Sequence, residues 1–257
     1  MFCNKEYSCE RLLEGLVVKH LEEQLTELEL KYQTEKCFSF NHIMELYLYQ
    51  FYQKDSDFKL AEEPMNLWYL ELGNKFVEDG KLEKAYDAYQ KAERWNPVDL
   101  DAKFAKIELE KKQGKLPEVL NNTLSLYPYL CSRATMARFY RNLGFYYVET
   151  YEPKIAEALY EYSNLFFRTD NAESELGYLE NALERQRTKY NVYELQKLIS
   201  GVQIPVAAPS NTLGLLYEVG KSEEKKGHLQ EAAECYLMVY DLTQDEEVKE
   251  RIKRITS

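Results

Sequence analysis

Asn66 to Asp99 reads NLWYLELGNKFVEDGKLEKAYDAYQKAERWNPVD, a run of 34 residues. Leu72 and Phe76 recur at helical spacing. After Gly80, Leu82, Ala85, Tyr89 and Ala92 do the same. Two amphipathic helices separated by a glycine turn follow from this spacing. Gly80 ends the first helix, because a left-handed residue after a helix costs glycine little. Pro97 stops the second, because proline cannot continue a helical hydrogen-bond ladder.

The pattern returns along the chain. Leu100 to Leu126 repeats it weakly, with Gly114 at the turn, Val119 in the second helix and Pro128 cutting that helix short. Ala137 to Asp170 repeats it well through Leu143, Gly144, Tyr147, Ala156 and Tyr160, with Tyr151 in place of the turn glycine. Leu213 to Glu246 repeats it again through Gly220, Gly227, Leu229, Ala232, Tyr236 and Val239. Between these, residues 171–200 form two more helices, the first lined by Leu176, Gly177, Leu179 and Leu183, the second by Tyr193, Leu195 and Leu198.

This spacing resembles the tetratricopeptide repeat, over residues 65–246. In that family small residues let two antiparallel helices approach, and here they correspond to Gly73 and Ala85. Phe76 and Tyr89 match the bulky residues that fill the space between them. The resemblance implies an all-α fold, a right-handed superhelix (an α-α solenoid) of helix pairs, with about 12–14 helices. Residues 65–257 form the solenoid, closed by a capping helix from Glu246 to Ile255. Residues 1–64 form a separate helical cap at the other end.

The cap has its own signals. A helix from Glu6 to Tyr32 carries a stripe of Val18, Leu21, Leu25, Leu28 and Tyr32. This stripe either packs on the first repeat or pairs with a second copy as a short coiled coil. We expect a monomer, with a homodimer through residues 18–32 as the alternative. Asn41 reads as the N-cap of a helix running through Ile43, Leu46, Tyr47 and Phe51. Pro64 opens the first repeat helix.

Composition agrees with a helical, soluble class. Ten glycines and seven prolines in 257 residues are few for a turn-rich β fold. No stretch approaches the roughly 18 apolar residues of a membrane span, so no membrane partner is expected. The first twenty residues lack the basic start and unbroken apolar core of a secretory signal, since Glu14 interrupts their apolar run. The expectation is a cytoplasmic protein. Its five cysteines, odd in number and irregularly spaced, read as reduced structural thiols, with Cys3 and Cys9 the more reactive.

The net charge is −11, which opposes binding to a phosphate backbone. The first 63 residues carry seven bases against thirteen acids, so they do not read as a DNA-binding head. His20, His42 and His228 have no metal-ligand spacing, and no phosphate loop or nucleophile elbow is present. No enzyme activity, cofactor, metal or nucleic acid is expected.

What remains is an interaction scaffold whose partner is a protein or peptide segment. The alternatives are a sensor or regulatory domain of a signalling or transcription system, without direct DNA contact, and an enzyme with no recognisable motif. In the tetratricopeptide family the first helix of each pair lines the concave groove. Carried over, this implies groove positions at Asn74, Phe104, Arg138, Arg141, Asn142, Phe145, Tyr217 and Lys221. Some members clamp a partner's terminal carboxylate. Asn74 and Arg138 match that clamp, but Leu70 and Ala105 stand where a lysine and an asparagine are needed. Arg138, Arg141 and Asn142 share one helical face and would favour an acidic ligand, unless the arginines pair with Glu108 or Glu149. The segment Gly201–Asn211, GVQIPVAAPSN, cannot be helical at Pro205. It is expected to press against the solenoid, either as packing or as a self-ligand touching the groove.

Overall fold

A computed structural model describes the backbone of residues 6–256 and the side chains of residues 18–256. Cys3 and Cys9 therefore lie outside the described side chains. Among the described residues there are thirteen α-helices, one short 3-10 turn and a single two-residue strand pair. The chain divides into two compact units, residues 1–109 and 110–257.

The first unit contains α1 (Glu6–Lys31), β1 (Cys37–Phe38), α2 (Ile43–Gln53), β2 (Lys59–Leu60), α3 (Met65–Glu78), α4 (Leu82–Trp95) and most of α5 (Leu100–Lys112). α3 and α4 pack as a hairpin around Tyr69, Leu72, Phe76, Ala85, Tyr89 and Ala92. Val18 and Leu25 of α1 are buried in that same cluster, and Leu21, Leu28 and Tyr32 pack against it. The apolar stripe of α1 is thus covered by the chain's own core. The boundary expected at residue 64 falls inside this unit.

Two details of the first unit differ from expectation. The N-cap of α2 is His42, which makes no side-chain cap, and not Asn41. Asn41 instead turns inward, accepting from Asn66 Nδ2 at 2.8 Å and giving its own N–H to Glu45 at 2.6 Å. β1 and β2 also pair in parallel over two residues, in a region expected to be a helical cap. Phe38, Phe40, Tyr49 and Phe58 form one aromatic cluster here, with ring centroids 4.6–5.9 Å apart. Burying those rings draws the two short segments together.

The second unit contains α6 (Leu116–Ser125), the 3-10 turn (Tyr127–Tyr129), α7 (Arg133–Glu149), α8 (Pro153–Phe166), α9 (Asp170–Ala182), α10 (Val192–Gly201), α11 (Ser210–Lys226), α12 (Leu229–Thr243) and α13 (Glu246–Thr256). α7 packs with α8, and α11 with α12. Leu183 and Tyr193, expected to line helices, are exposed. Leu195 and Ile199 are the residues that bury α10.

One geometry recurs in both units. Gly73 meets Tyr89, Gly144 meets Tyr160, and Gly220 meets Tyr236, each pair sixteen residues apart. A Cβ on Gly220 would lie 2.8 Å from Tyr236, and one on Gly144 would lie 3.0 Å from Tyr160. On Gly73 it would overlap the Tyr89 ring. Ala85, Ala156 and Ala232 are fully buried twelve residues after each glycine. The small residues permit close helix approach, and the tyrosine ring fills the space left.

The turn recurs too. Lys81, Lys115, Glu152 and His228 each donate N–H to the carbonyl five residues back, at 2.8–3.0 Å. This is the 6→1 bond that closes a helix C-terminus when the residue before it is left-handed. Gly80, Gly114 and Gly227 supply that conformation at φ of 67–84°. Tyr151 does so at φ 61°, and its side chain is almost wholly exposed.

Candidate functional site

α7 begins at a capping box, Ser132 with Thr135, which sets where its faces point. Asn142 on α7 is buried, and its Oδ1 accepts from Lys111 Nζ at 2.6 Å. The same ammonium sits 5.3 Å from the centre of the Phe145 ring. A cation held over an aromatic face is favoured by the ring quadrupole. Glu175 of α9 is within electrostatic reach of both Lys111 and Glu149. Burial pushes its carboxyl up, Lys111 pulls it down, Glu149 pushes it up, and the balance is a raised value.

The arginines of α7 have a second task. Arg133 donates from Nε to Phe166 O and from Nη2 to Leu165 O, both at 2.8 Å. Arg141 reaches Phe167 O at 3.5 Å. These carbonyls end α8, where cations oppose the negative end of the helix dipole. Arg138 is half-buried on the same helix.

Tyr217 and Lys221 lie together on α11. The Tyr217 hydroxyl donates to Glu247 at 2.8 Å, and the Lys221 ammonium and the Arg251 guanidinium both lie over its ring. Lys221 also pairs with Glu218 at 2.9 Å. In the first unit, Asn74 is exposed and accepts from the Tyr89 hydroxyl at 2.7 Å.

Two expected groove residues do not offer a surface. Phe104 and Asn142 are both sealed from solvent, at 1% exposure each. Phe104 lies on α5 at a position where helical spacing alone does not tell inner from outer face. Asn142 is expected on the groove only because a family groove position falls on it. Its amide is instead consumed by Lys111, and its Nδ2 finds no partner.

The proline segment is seated within the second unit. Tyr140 donates to Pro205 O at 2.9 Å, Tyr162 to Val206 O, and Tyr127 to Ala207 O at 3.0 Å. Three successive carbonyls are thus each met by a tyrosine hydroxyl. Ile204 and Pro209 are buried. Backbone that forms neither helix nor sheet must find such partners when buried.

Sequence reading missed two polar networks. In the second unit, Glu157 is buried and takes two bonds from Arg185, at 3.1 and 2.9 Å, plus the Thr188 N–H at 3.0 Å. Burial pushes this carboxyl up, but Arg185 and Thr188 together outweigh it, and it ends below its ordinary value. In the first unit, Asn66 bridges Asn41, Ser39 and Asp99, while Asn96 Nδ2 donates to Glu45 at 2.7 Å. Burial pushes Glu45 and Asp99 up, and amides only partly offset it. The partners are 25 to 51 residues apart in sequence, so no local motif announces them.

His228 is exposed, and its Nδ1 bonds to the buried Glu223 at 2.7 Å. Cys37 and Cys235 are in no disulfide, and burial pushes the Cys235 thiol up to about 12. Among the described residues, no three His, Cys, Asp or Glu side chains converge to hold a metal, and no helix is long and apolar enough to cross a membrane. No protein-family model matches the chain, and no curated protein matches it.

Proposed function

We propose that the chain is a tetratricopeptide-like solenoid, a right-handed superhelix of helix pairs, that works as a non-enzymatic scaffold. It binds a segment of another protein along faces presented by the first helices of its pairs. The observation that carries this reading is the repeated hairpin. Three glycine–tyrosine contacts at one spacing, with the same turn bond at 2.8–3.0 Å, describe one structural unit used several times. Stacked units of this kind bury each other's apolar faces and leave long shallow surfaces for extended ligands.

On the second unit the binding face comprises Arg138, Arg141, Phe145, Tyr217 and Lys221, with Lys111 added. On the first it includes Asn74. Phe104 and Asn142 support these faces from within. The cations of α7 in a chain of net −11 favour an acidic or carboxylate-bearing segment. The protein acts as a monomer, since the stripe of α1 is already covered.

Affinity capture from the source cell tests this, comparing the natural chain with Arg138→Glu plus Arg141→Glu. Selective loss of partners from a variant with unchanged circular dichroism is expected. An identical partner set would remove α7 from the binding face.

A further inference from the structure

A second surface lies on α8 and α10, the helices that the proposed binding faces do not use. A groove of about 530 Å³ opens between the first turn of α8 and the outer face of α10. That volume falls in the range of ligand sites, which run from about 300 to 1,000 Å³. Half-buried Ile155, Leu198 and Val202 give it an apolar lining. Lys154 and Lys197, both exposed, line it too.

Acids outnumber bases by 44 to 33, and helix-surface lysines such as Lys221, Lys249 and Lys253 each pair with a glutamate one turn away. Neither Lys154 nor Lys197 has a carboxylate partner among the described residues. Glu194 also lines the groove, but its carboxylate accepts the Asn191 N–H at 2.9 Å and closes the capping box of α10. The first turn of α8 adds the positive end of its dipole, and Glu152, its N-cap, makes no side-chain cap there.

Gly201 completes the site. It is exposed, and a Cβ placed on it meets nothing within 4 Å. It keeps the α10 end of the groove open without any demand from the fold.

We propose that this groove binds a short acidic peptide segment of another protein. One apolar side chain enters against Ile155, Leu198 and Val202, and flanking carboxylates meet Lys154 and Lys197. Charge complementarity selects this occupant over a basic or neutral one. The apolar contact supplies affinity, and the lysines supply orientation and rate. The assignment does not depend on the scaffold reading, because it uses neither α7 nor α11.

Fluorescence anisotropy on the full chain tests it. The probe is a fluorescein-labelled pool of hexapeptides, each with one Leu, Ile or Phe among Asp and Glu. A matched pool with Asn and Gln is the control. Saturable binding below about 100 μM is expected for the acidic pool, at least about fivefold tighter than for the amide pool. Gly201→Phe fills the groove, and Lys154→Glu plus Lys197→Glu reverses its charge. Each should weaken binding by about tenfold or more. The same two groove variants are made in an Arg138→Glu plus Arg141→Glu background, where the loss they cause should persist, which separates this site from the proposed α7 face. No saturation up to about 1 mM, equal binding of both pools, or binding indifferent to both groove variants overturns the proposal. Should Gly201→Phe lower the melting temperature, the exposed lysine pair alone decides.

Discussion

Glu45 in the first unit is half-buried and Glu157 in the second is buried, both in polar networks, and their carboxyls shift in opposite directions. Glu45 is bonded by the Asn96 amide and the Asn41 backbone, and its carboxyl is raised. Glu157 is bonded by the Arg185 guanidinium and the Thr188 backbone, and its carboxyl is lowered. An amide satisfies a lone pair but brings no charge. Desolvation of the carboxylate is then left largely uncompensated. A guanidinium brings two aligned donors and a full positive charge, which reverses the balance. The first unit therefore carries the half-buried Glu45 and the buried Asp99 at a cost, whereas the second uses Glu157 to hold residues 185–190 against α8.

The same substitution should separate the two. Glu157→Gln removes the charge that Arg185 answers and should destabilise the second unit by about 2 kcal/mol, discounted for the partly exposed arginine. Glu45→Gln keeps the acceptor for Asn96 and removes a desolvated charge, so it should stay within about 1 kcal/mol of the natural chain. Urea unfolding followed by residue-resolved hydrogen exchange measures both. Equal losses would mean that the partner's charge does not decide the outcome.

The shared hairpin gives a second contrast between the units, in degree and not in sign. Gly73→Ala forces a methyl into the Tyr89 ring, which Asn74 tethers through its hydroxyl. It should cost about 1–3 kcal/mol by overpacking. Gly144→Ala starts from a 3.0 Å approach to Tyr160 and should cost less. If thermal melts rank them the other way, the register linking the hairpins is wrong.

Dependence on pH is a third test, worth at most about 1.4 kcal/mol per pH unit for each proton involved. Glu45 and Asp99 hold protons more tightly when folded. Their contribution to stability is complete below the ordinary carboxylate range, near pH 4, and is lost as pH rises through their raised values. Glu157 releases its proton more readily when folded. Its contribution is present above the ordinary range and is lost as pH falls through its lowered value. Hydrogen exchange across pH 4 to 7 should therefore show protection falling in the first unit's polar network while residues 185–190 remain held. Both regions moving together would break the comparison.

The smallest expected effect concerns the proline segment. Tyr162→Phe removes one of three hydroxyls that meet its carbonyls and should cost about 1 kcal/mol, with faster exchange confined to the neighbourhood of residues 204–208. Loss of protection across the whole second unit would show that the hydroxyl does more than seat this segment.

Sequence by itself determined most of the helices and their turns, and the resemblance pointed to the close approaches. Helical spacing, glycine at the turns and the sixteen-residue interval from glycine to tyrosine are local properties, because a helix is made from bonds between residues four apart. The stripe of α1 was legible for the same reason, although only the fold chose its partner. Tertiary structure decided the polar interior. Asn41 turned inward rather than capping α2, Asn142 went under Lys111, and Phe104 was sealed from solvent. A buried polar atom accepts whichever donor the packing brings within about 3 Å, and that donor is set by how distant helices meet. Hydrophobic periodicity says which face of a helix is covered. It does not say which asparagine, glutamate or arginine will be trapped beneath.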